Sequence, residues 1–539
     1  MLKDYSWFTK ENILKQLSNL NVNVDRYKMV VDFIFQPCIV YLIDKIDFEF
    51  NSELGAPAYS RLQLLAILLF AEIRGVNNLE EISSLCKTDD IFKVITPTDK
   101  PSRNTLSSLA NLNDELPFLS IFLFTLVKLN DYNFLPDDSD LFLDGTDGIV
   151  NADVTYTISE DDIEALELMD KWDLIHDLSE IGIRKSKTNV ECKLRKYKNN
   201  PEMTKIIGLI LKNIEMFNKN VFNKVDELKN ALVDSNKDYV VINFPESVKM
   251  KTKRGKWDAA LNVQEIMTSN SIVFSGILQR KPNDQGTLNG IIQALKENLC
   301  ILLKLQEKFG ERRNFKELEN RFLKSKIFCD SGYDGEENIK TILISKMNFI
   351  PMPKKVSRKI NDELRKRNNN KETKTKKKKN KTLKNNDDYT IRDCKRIKNG
   401  YKCSFEKELE LKDVKLKNNA HNKQENLPKP LLEYDYYYEC HDCSGCPYFN
   451  KYGEKCSIAK YKETTTEFHY ELINSFVSGK YPDYNKRFPI SEGINGYLKR
   501  KNGILRLRGR NLISATNHLH IKNIIYNLIR FVNLKGSAW

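Results

Sequence analysis

No run in this sequence is long and apolar enough to cross a bilayer. The longest, Leu62 to Ile73, is broken by Gln63 and Glu72, whereas a spanning helix needs about 20 apolar residues. No secretory signal is expected either, because Met1 to Lys10 leads into Glu11, Asn12 and Lys15 rather than an apolar stretch. A disulfide framework is missing too: the 11 cysteines are odd in number, and only four are clustered. Scattered thiols among apolar neighbours suit a reducing compartment. These absences argue against membrane-spanning and disulfide-stapled classes, and the expectation is a soluble, cytoplasmic protein.

What is present is length and positive charge. At 539 residues the chain exceeds one ordinary core, so two to four structural units are expected, one of which can interrupt another. Lys and Arg number 87 against 73 Asp and Glu, a net charge of +14, which favours a polyanionic partner such as nucleic acid.

The stretch Leu141-Phe142-Leu143-Asp144-Gly145-Thr146 runs three strand-forming apolar residues into a carboxylate. Gly145 predicts a turn there, with the acid at a strand end. The same grammar returns at Lys326-Ile327-Phe328-Cys329-Asp330-Ser331-Gly332-Tyr333. Two such acids side by side point to a divalent cation, since buried carboxylates need a compensating charge or proton.

Along the chain, Tyr59 to Arg74 reads as a core helix capped by Gly75, and Leu79 to Cys86 as a second. Pro101-Ser102-Arg103-Asn104-Thr105 predicts the start of a third. Such helices suit either a helix-turn-helix-like DNA reader led by Arg103 or a bundle that only packs. Residues 155-238 read as a helical insertion. Trp257 to Val263 and Ser271 to Leu278 read as paired strands, followed by a helix over Gly286 to Leu305, the Asp330 strand, a further helix and a short strand. That order predicts a mixed sheet covered by helices. Lys354 to Lys384, with Lys376-Lys377-Lys378-Lys379, cannot build a core and reads as a basic, mobile linker with incidental DNA contact.

Cys440-x2-Cys443-x2-Cys446-x9-Cys456 lies among turn formers. Four thiolates that close suit one tetrahedral, structural zinc, with no position left for a catalytic water. Further on, Pro489 and Ser491 open a helix on which Glu492, Asn495 and Lys499 share a face. This arrangement suits a carboxylate holding metal beside a lysine touching phosphate, and equally a plain surface helix. Arg506, Arg508 and Arg510 alternate, as a basic track along DNA or a solvated strand. His518 and His520 read as helix-packing or surface residues rather than ligands.

Taken in order, these pieces resemble the DDE-type insertion-sequence transposases, in the group with a Cys cluster before the last acid. Gly55-Ala56-Pro57-Ala58-Tyr59-Ser60, the helix after it, Leu79-Glu80-Glu81-Ile82 and the Pro101 to Thr105 segment resemble the family's N-terminal helical domain. Leu143-Asp144-Gly145-Thr146 matches its first acid and Asp330-Ser331-Gly332-Tyr333 its second. Asn262-Val263-Gln264 and Pro282-Asn283-Asp284 match the strand region between them. Glu492-x6-Lys499 matches the closing acid and its phosphate-binding Lys, with Tyr484 and Arg487 in the places of the preceding Tyr and Arg. Asp147 stands where the family pattern has a Lys.

The resemblance implies an α/β fold: a ribonuclease-H-like mixed sheet with a helical insertion, an all-α N-terminal domain and a small zinc-knot insertion. The expected divisions are 1-135 helical and DNA-binding, 136-352 catalytic core, 353-430 linker, 431-460 zinc knot and 461-539 the rest of the core. Asp144, Asp330 and Glu492 are then the catalytic acids holding two Mg or Mn ions, and Lys499, Arg487 and Tyr484 contact phosphate. The implied activity is cleavage at transposon ends and strand transfer into target DNA. The alternatives are a decayed copy that only binds DNA, or a ribonuclease-H-like nuclease without strand transfer. The implied partners are double-stranded DNA and further copies of the chain, in a nucleoid-associated, prokaryotic setting.

Overall fold

In the computed structural model the chain divides into two units, Met1–Ser325 with Pro489–Trp539, and Lys326–Phe488. The residues described are 6–46, 59–97, 100–135, 140–152, 154, 157–161, 163–164, 225–235, 239–252, 255–311, 315–345, 347–354, 356, 394–403, 405–424, 427–441, 445–446, 449–450, 459–499, 505–509 and 511–536. The architecture is mixed α/β. Among the described residues no single helix is long and apolar enough to cross a membrane.

The first unit opens with helices whose boundaries follow local chemistry. Arg61–Arg74 ends at Gly75, whose φ of 70° fits a residue without Cβ. Leu79–Thr88 starts at Asn78, whose side chain accepts from the Glu80 N–H, and Arg103–Ala110 starts at Ser102, which accepts from the Thr105 N–H. Helix Leu116–Asp131 is buried from Phe118 to Asn130. Each large apolar side chain removed from water there contributes roughly 1.5–3 kcal/mol. It packs between helices Leu288–Phe309 and Leu512–Lys535, so the N-terminal helices share a core with the later elements of the same unit.

The sheet of this unit is built on strand Asp140–Ile149, antiparallel to Trp257–Thr268, which folds back as a hairpin onto Val273–Gln279. Leu505–Arg506 adds in parallel beside Gly148 and Ile149. The Trp257 strand runs past Val263 to Thr268, with Asn262, Gln264 and Glu265 buried in it.

The C-terminal helix Leu512–Lys535 buries charge as well as carbon. Lys522 Nζ lies 2.9 Å from Glu72 Oε2, and both residues are 4% exposed or less. His518 and His520 are buried in the same helix, and His520 stacks on Phe122 with ring centroids 5.7 Å apart. Burial holds His518 far below the usual imidazole value, with Arg508 and Lys522 adding to the effect. Burial alone takes His520 down to about 3. Both rings therefore fold neutral, while the unfolded chain protonates them below about pH 6.5. Their contribution is fully present above that pH and is lost as pH falls, by about 1.4 kcal/mol per pH unit for each ring. Urea unfolding at pH 7, 6 and 5 is expected to show this slope, and His520→Phe to remove one ring's share. An unchanged slope in that variant would refute the assignment.

In the second unit, strands Lys326–Cys329 and Asn348–Pro351 are parallel, joined through the turn Ser331–Tyr333 and helix Glu336–Ser345. A separate five-stranded antiparallel sheet comes next in chain order: Lys395–Ile397, Gly400–Lys402, Glu408–Leu416, Glu433–Cys440 and Lys460–Thr466. Residues 394–424, read from sequence as linker, thus supply three strands. Their apolar residues, Tyr401, Cys403 and Leu409, are few and spread among lysines, but they converge in one cluster with Tyr436 and Tyr438. At its centre the Arg396 guanidinium donates to Glu463 Oε2 at 2.7 Å and to the Tyr438 hydroxyl at 3.0 Å. The lysine-rich stretch 357–393 lies outside the described residues.

Candidate active site

Asp144 does not end its strand. The strand continues to Ile149, and Gly145 is absent from the glycines with positive φ. The reason for glycine is contact rather than turning: a Cβ at position 145 would lie 2.6 Å from Asp284 Oδ1 and 2.8 Å from Gln264 Nε2. Asp284 Oδ1 accepts from Gln264 Nε2 at 2.7 Å and from Asn262 Nδ2 at 3.1 Å. The two segments singled out between the acids thus meet over Gly145. Gly145→Ala is expected to force this cluster apart and cost about 1–3 kcal/mol, measurable as a lowered denaturant midpoint. A midpoint equal to the parent's would mean that the cluster yields freely.

Side chains alternate along the strand, so Asp144 points to the other face, where its register partner is Glu265. Burial pushes the Glu265 carboxyl up to about 8; the Asn523 side chain opposes the shift and the Asp144 carboxylate adds to it. Glu265 was missed from sequence, although an acid set inside Asn262 to Thr268 was a visible irregularity.

Helix Arg487–Leu498 approaches the same face. Asn495 Nδ2 donates to Asp144 Oδ2 at 2.9 Å. Glu492 lies one turn earlier on this helix and is exposed, while Lys499 is half-buried just past its end, its N–H bonded to the Asn495 carbonyl at 3.0 Å. The strand of the first acid and the helix of the third are thereby tied together through Asn495.

In the second unit, Asp330 leaves its strand as the sequence pattern predicts. Its Oδ1 accepts from the Gly332 N–H at 2.7 Å and caps the Ser331–Tyr333 turn. The Tyr484 hydroxyl donates to the Cys329 carbonyl at 3.1 Å, and its ring meets Phe328 edge-on with centroids 5.8 Å apart. The Arg487 guanidinium lies 6.0 Å from the Tyr484 ring centre. Burial raises the Tyr484 hydroxyl well above its ordinary value, opposed by Arg487 and aided by Asp330. Asp330, Tyr484 and Arg487 therefore form one neighbourhood. The turn is fastened from behind: Asp334 Oδ2 accepts from the Lys354 N–H at 2.8 Å, and Asp334 Oδ1 lies 2.7 Å from His469 Nε2. This second partnership had no local signal, because 135 residues separate the pair.

Arg103, Arg506 and Arg508 line one cleft of the first unit, about 470 Å³ in volume. Arg510, Cys443 and Cys456 lie outside the described residues; Cys440 and Cys446 are buried. Among the described residues no group of three or more His, Cys, Asp or Glu is gathered to hold a metal ion. Comparison with protein-family models, with curated proteins and with solved structures finds no match to the chain.

Proposed function

We propose that the chain is a DDE-type DNA transposase, which cleaves DNA at the ends of its element and joins the freed 3'-hydroxyl to target DNA. The observation that carries this reading is the 2.9 Å hydrogen bond from Asn495 to Asp144, which links the carrier of the first acid to that of the third across 351 residues. The order of elements supports it. Antiparallel strands come first and then a helix, the Asp330 strand, another helix and a parallel strand, the succession expected of a ribonuclease-H-like core.

The proposed donors for Mg or Mn are the carboxylates of Asp144, Asp330 and Glu492. Their hard oxygens fit those ions, and Asp144 and Glu492 both reach solvent. Bound ions would supply an activated water or hydroxyl and neutralise charge on the leaving oxygen. The chain's own part is positioning. Asn495 orients the Asp144 carboxylate, and Tyr484 holds the Cys329 carbonyl next to Asp330. Arg487 and Lys499 offer cations to phosphate. Cys440, Cys443, Cys446 and Cys456 are the proposed ligands of a structural zinc, and two DNA ends held together call for at least two copies of the chain.

The test is incubation of the full chain with Mg or Mn, a DNA fragment carrying the flanking ends of this gene, and a supercoiled target. The expected products are a nick at the end and a joined molecule. Cutting without joining would instead identify a nuclease, and binding without cutting a DNA-binding protein.

A further inference from the structure

We infer that the cleft lined by Arg103, Arg506 and Arg508 binds a backbone phosphate of duplex DNA, at a point removed from Asp144. The arginines come from two distant parts of the sequence: Arg103 opens helix Arg103–Ala110, while Arg506 ends the short strand beside Ile149 and Arg508 lies two residues beyond it. Asn77, Asn111 and Asn151 line the same cleft, and Glu80 is the single carboxylate among its lining residues. Among the described residues none of the three guanidinium groups makes a hydrogen bond or an ion pair. Arg508 is half-buried, with its Nε sealed from solvent and unbonded. Burial brings it down to about 10, opposed by Glu72 behind it, so it stays a cation at neutral pH with donors unspent. Three convergent cations among amide side chains fit a phosphate diester, because fork-shaped donors match phosphate oxygens.

The position of the cleft gives the contact a register. Ile149 lines it, and Asp144 lies on the same strand at about 3.3 Å per residue, or about 17 Å away. Duplex DNA rises about 3.4 Å per base pair along one strand, so for a duplex lying along this strand the held phosphate would be about five base pairs from one at Asp144. That the phosphate belongs to DNA rests on the function proposed above; a mononucleotide or free phosphate would offer the same group.

The deciding experiment measures binding in EDTA, so that it does not depend on cleavage. The full chain, Arg103→Gln, Arg506→Gln and the double variant are titrated with labelled duplex DNA over a range of salt concentrations, with AMP and inorganic phosphate as competing probes. Thermal unfolding of each variant checks that it is folded; Arg508 is left intact because it is partly buried. The double variant is expected to bind duplex DNA about 10- to 100-fold more weakly. The slope of log K against log salt should fall by about 1 to 2, while millimolar AMP displaces little DNA. Unchanged DNA affinity and slope in folded variants overturns the inference. AMP binding that is lost in the variants while DNA binding persists overturns it in favour of a nucleotide site. A chain that cuts DNA while the variants bind normally refutes the cleft alone; a chain that binds through the cleft but never cuts refutes only the proposed catalysis.

Discussion

Asp144→Asn is expected to lower DNA-end cleavage by on the order of a thousandfold while leaving the fold and DNA binding in place. The substitution removes one negative charge and keeps an oxygen that can accept from Asn495, so the contact between strand and helix survives. A thousandfold loss corresponds to about 4 kcal/mol of transition-state stabilisation, the scale on which charge placed at a reacting phosphate acts. Asn495→Leu acts one step removed. It removes the Asn495 donor from the Asp144 carboxylate, and is expected to cost about 10- to 100-fold. Its signature is a higher Mg concentration for half-maximal cleavage, which a general loss of folding would not give. Full activity in Asp144→Asn would remove the first acid from the proposed site.

Glu72→Ala is expected to destabilise the first unit by about 3–5 kcal/mol, because it strands the Lys522 ammonium in a buried position. The ammonium is 2.9 Å from Glu72 Oε2 and 3.4 Å from Asn77 Oδ1, so among the described residues the amide oxygen is the acceptor left near it. The carboxylate also lies 3.9 Å from His518 Nε2 and faces Arg508, so its loss raises the local positive charge. Urea unfolding monitored by circular dichroism reads the effect. Replacing both partners, Glu72→Met with Lys522→Met, is expected to recover most of the stability, since apolar side chains of similar size need no charge partner. A loss below about 1 kcal/mol in Glu72→Ala would place the pair among weak, solvated ion pairs instead.

These two predictions differ in how far the sequence could have led to them. Asp144 was visible as an acid in an apolar run, and Glu492, Asn495 and Lys499 as one face of a helix. The helix stop at Gly75, the start at Ser102, the pairing of the Trp257 strand with the one after it and the Asp330 turn arise from chemistry within a few residues, and the structure has each of them. The five-stranded sheet was not legible, because its apolar residues are too sparse to dominate the lysines around them. Gly145 was legible as a special position, but the reason was hidden. Its missing Cβ makes room for Asp284, which is remote in the chain.

By itself the sequence determined the ends of several elements, among them the Gly75 and Ser102 helix caps and the Asp330 strand end, since caps, periodicity and β-branched runs act over one or two turns. Only the tertiary structure decided which side chains meet. Asn495 reaches Asp144 across 351 residues, and Lys522 reaches Glu72 across 450. Arg103 joins Arg506 and Arg508 in one cleft. Such pairings depend on how finished elements pack, and no pattern confined to a few neighbouring residues encodes them.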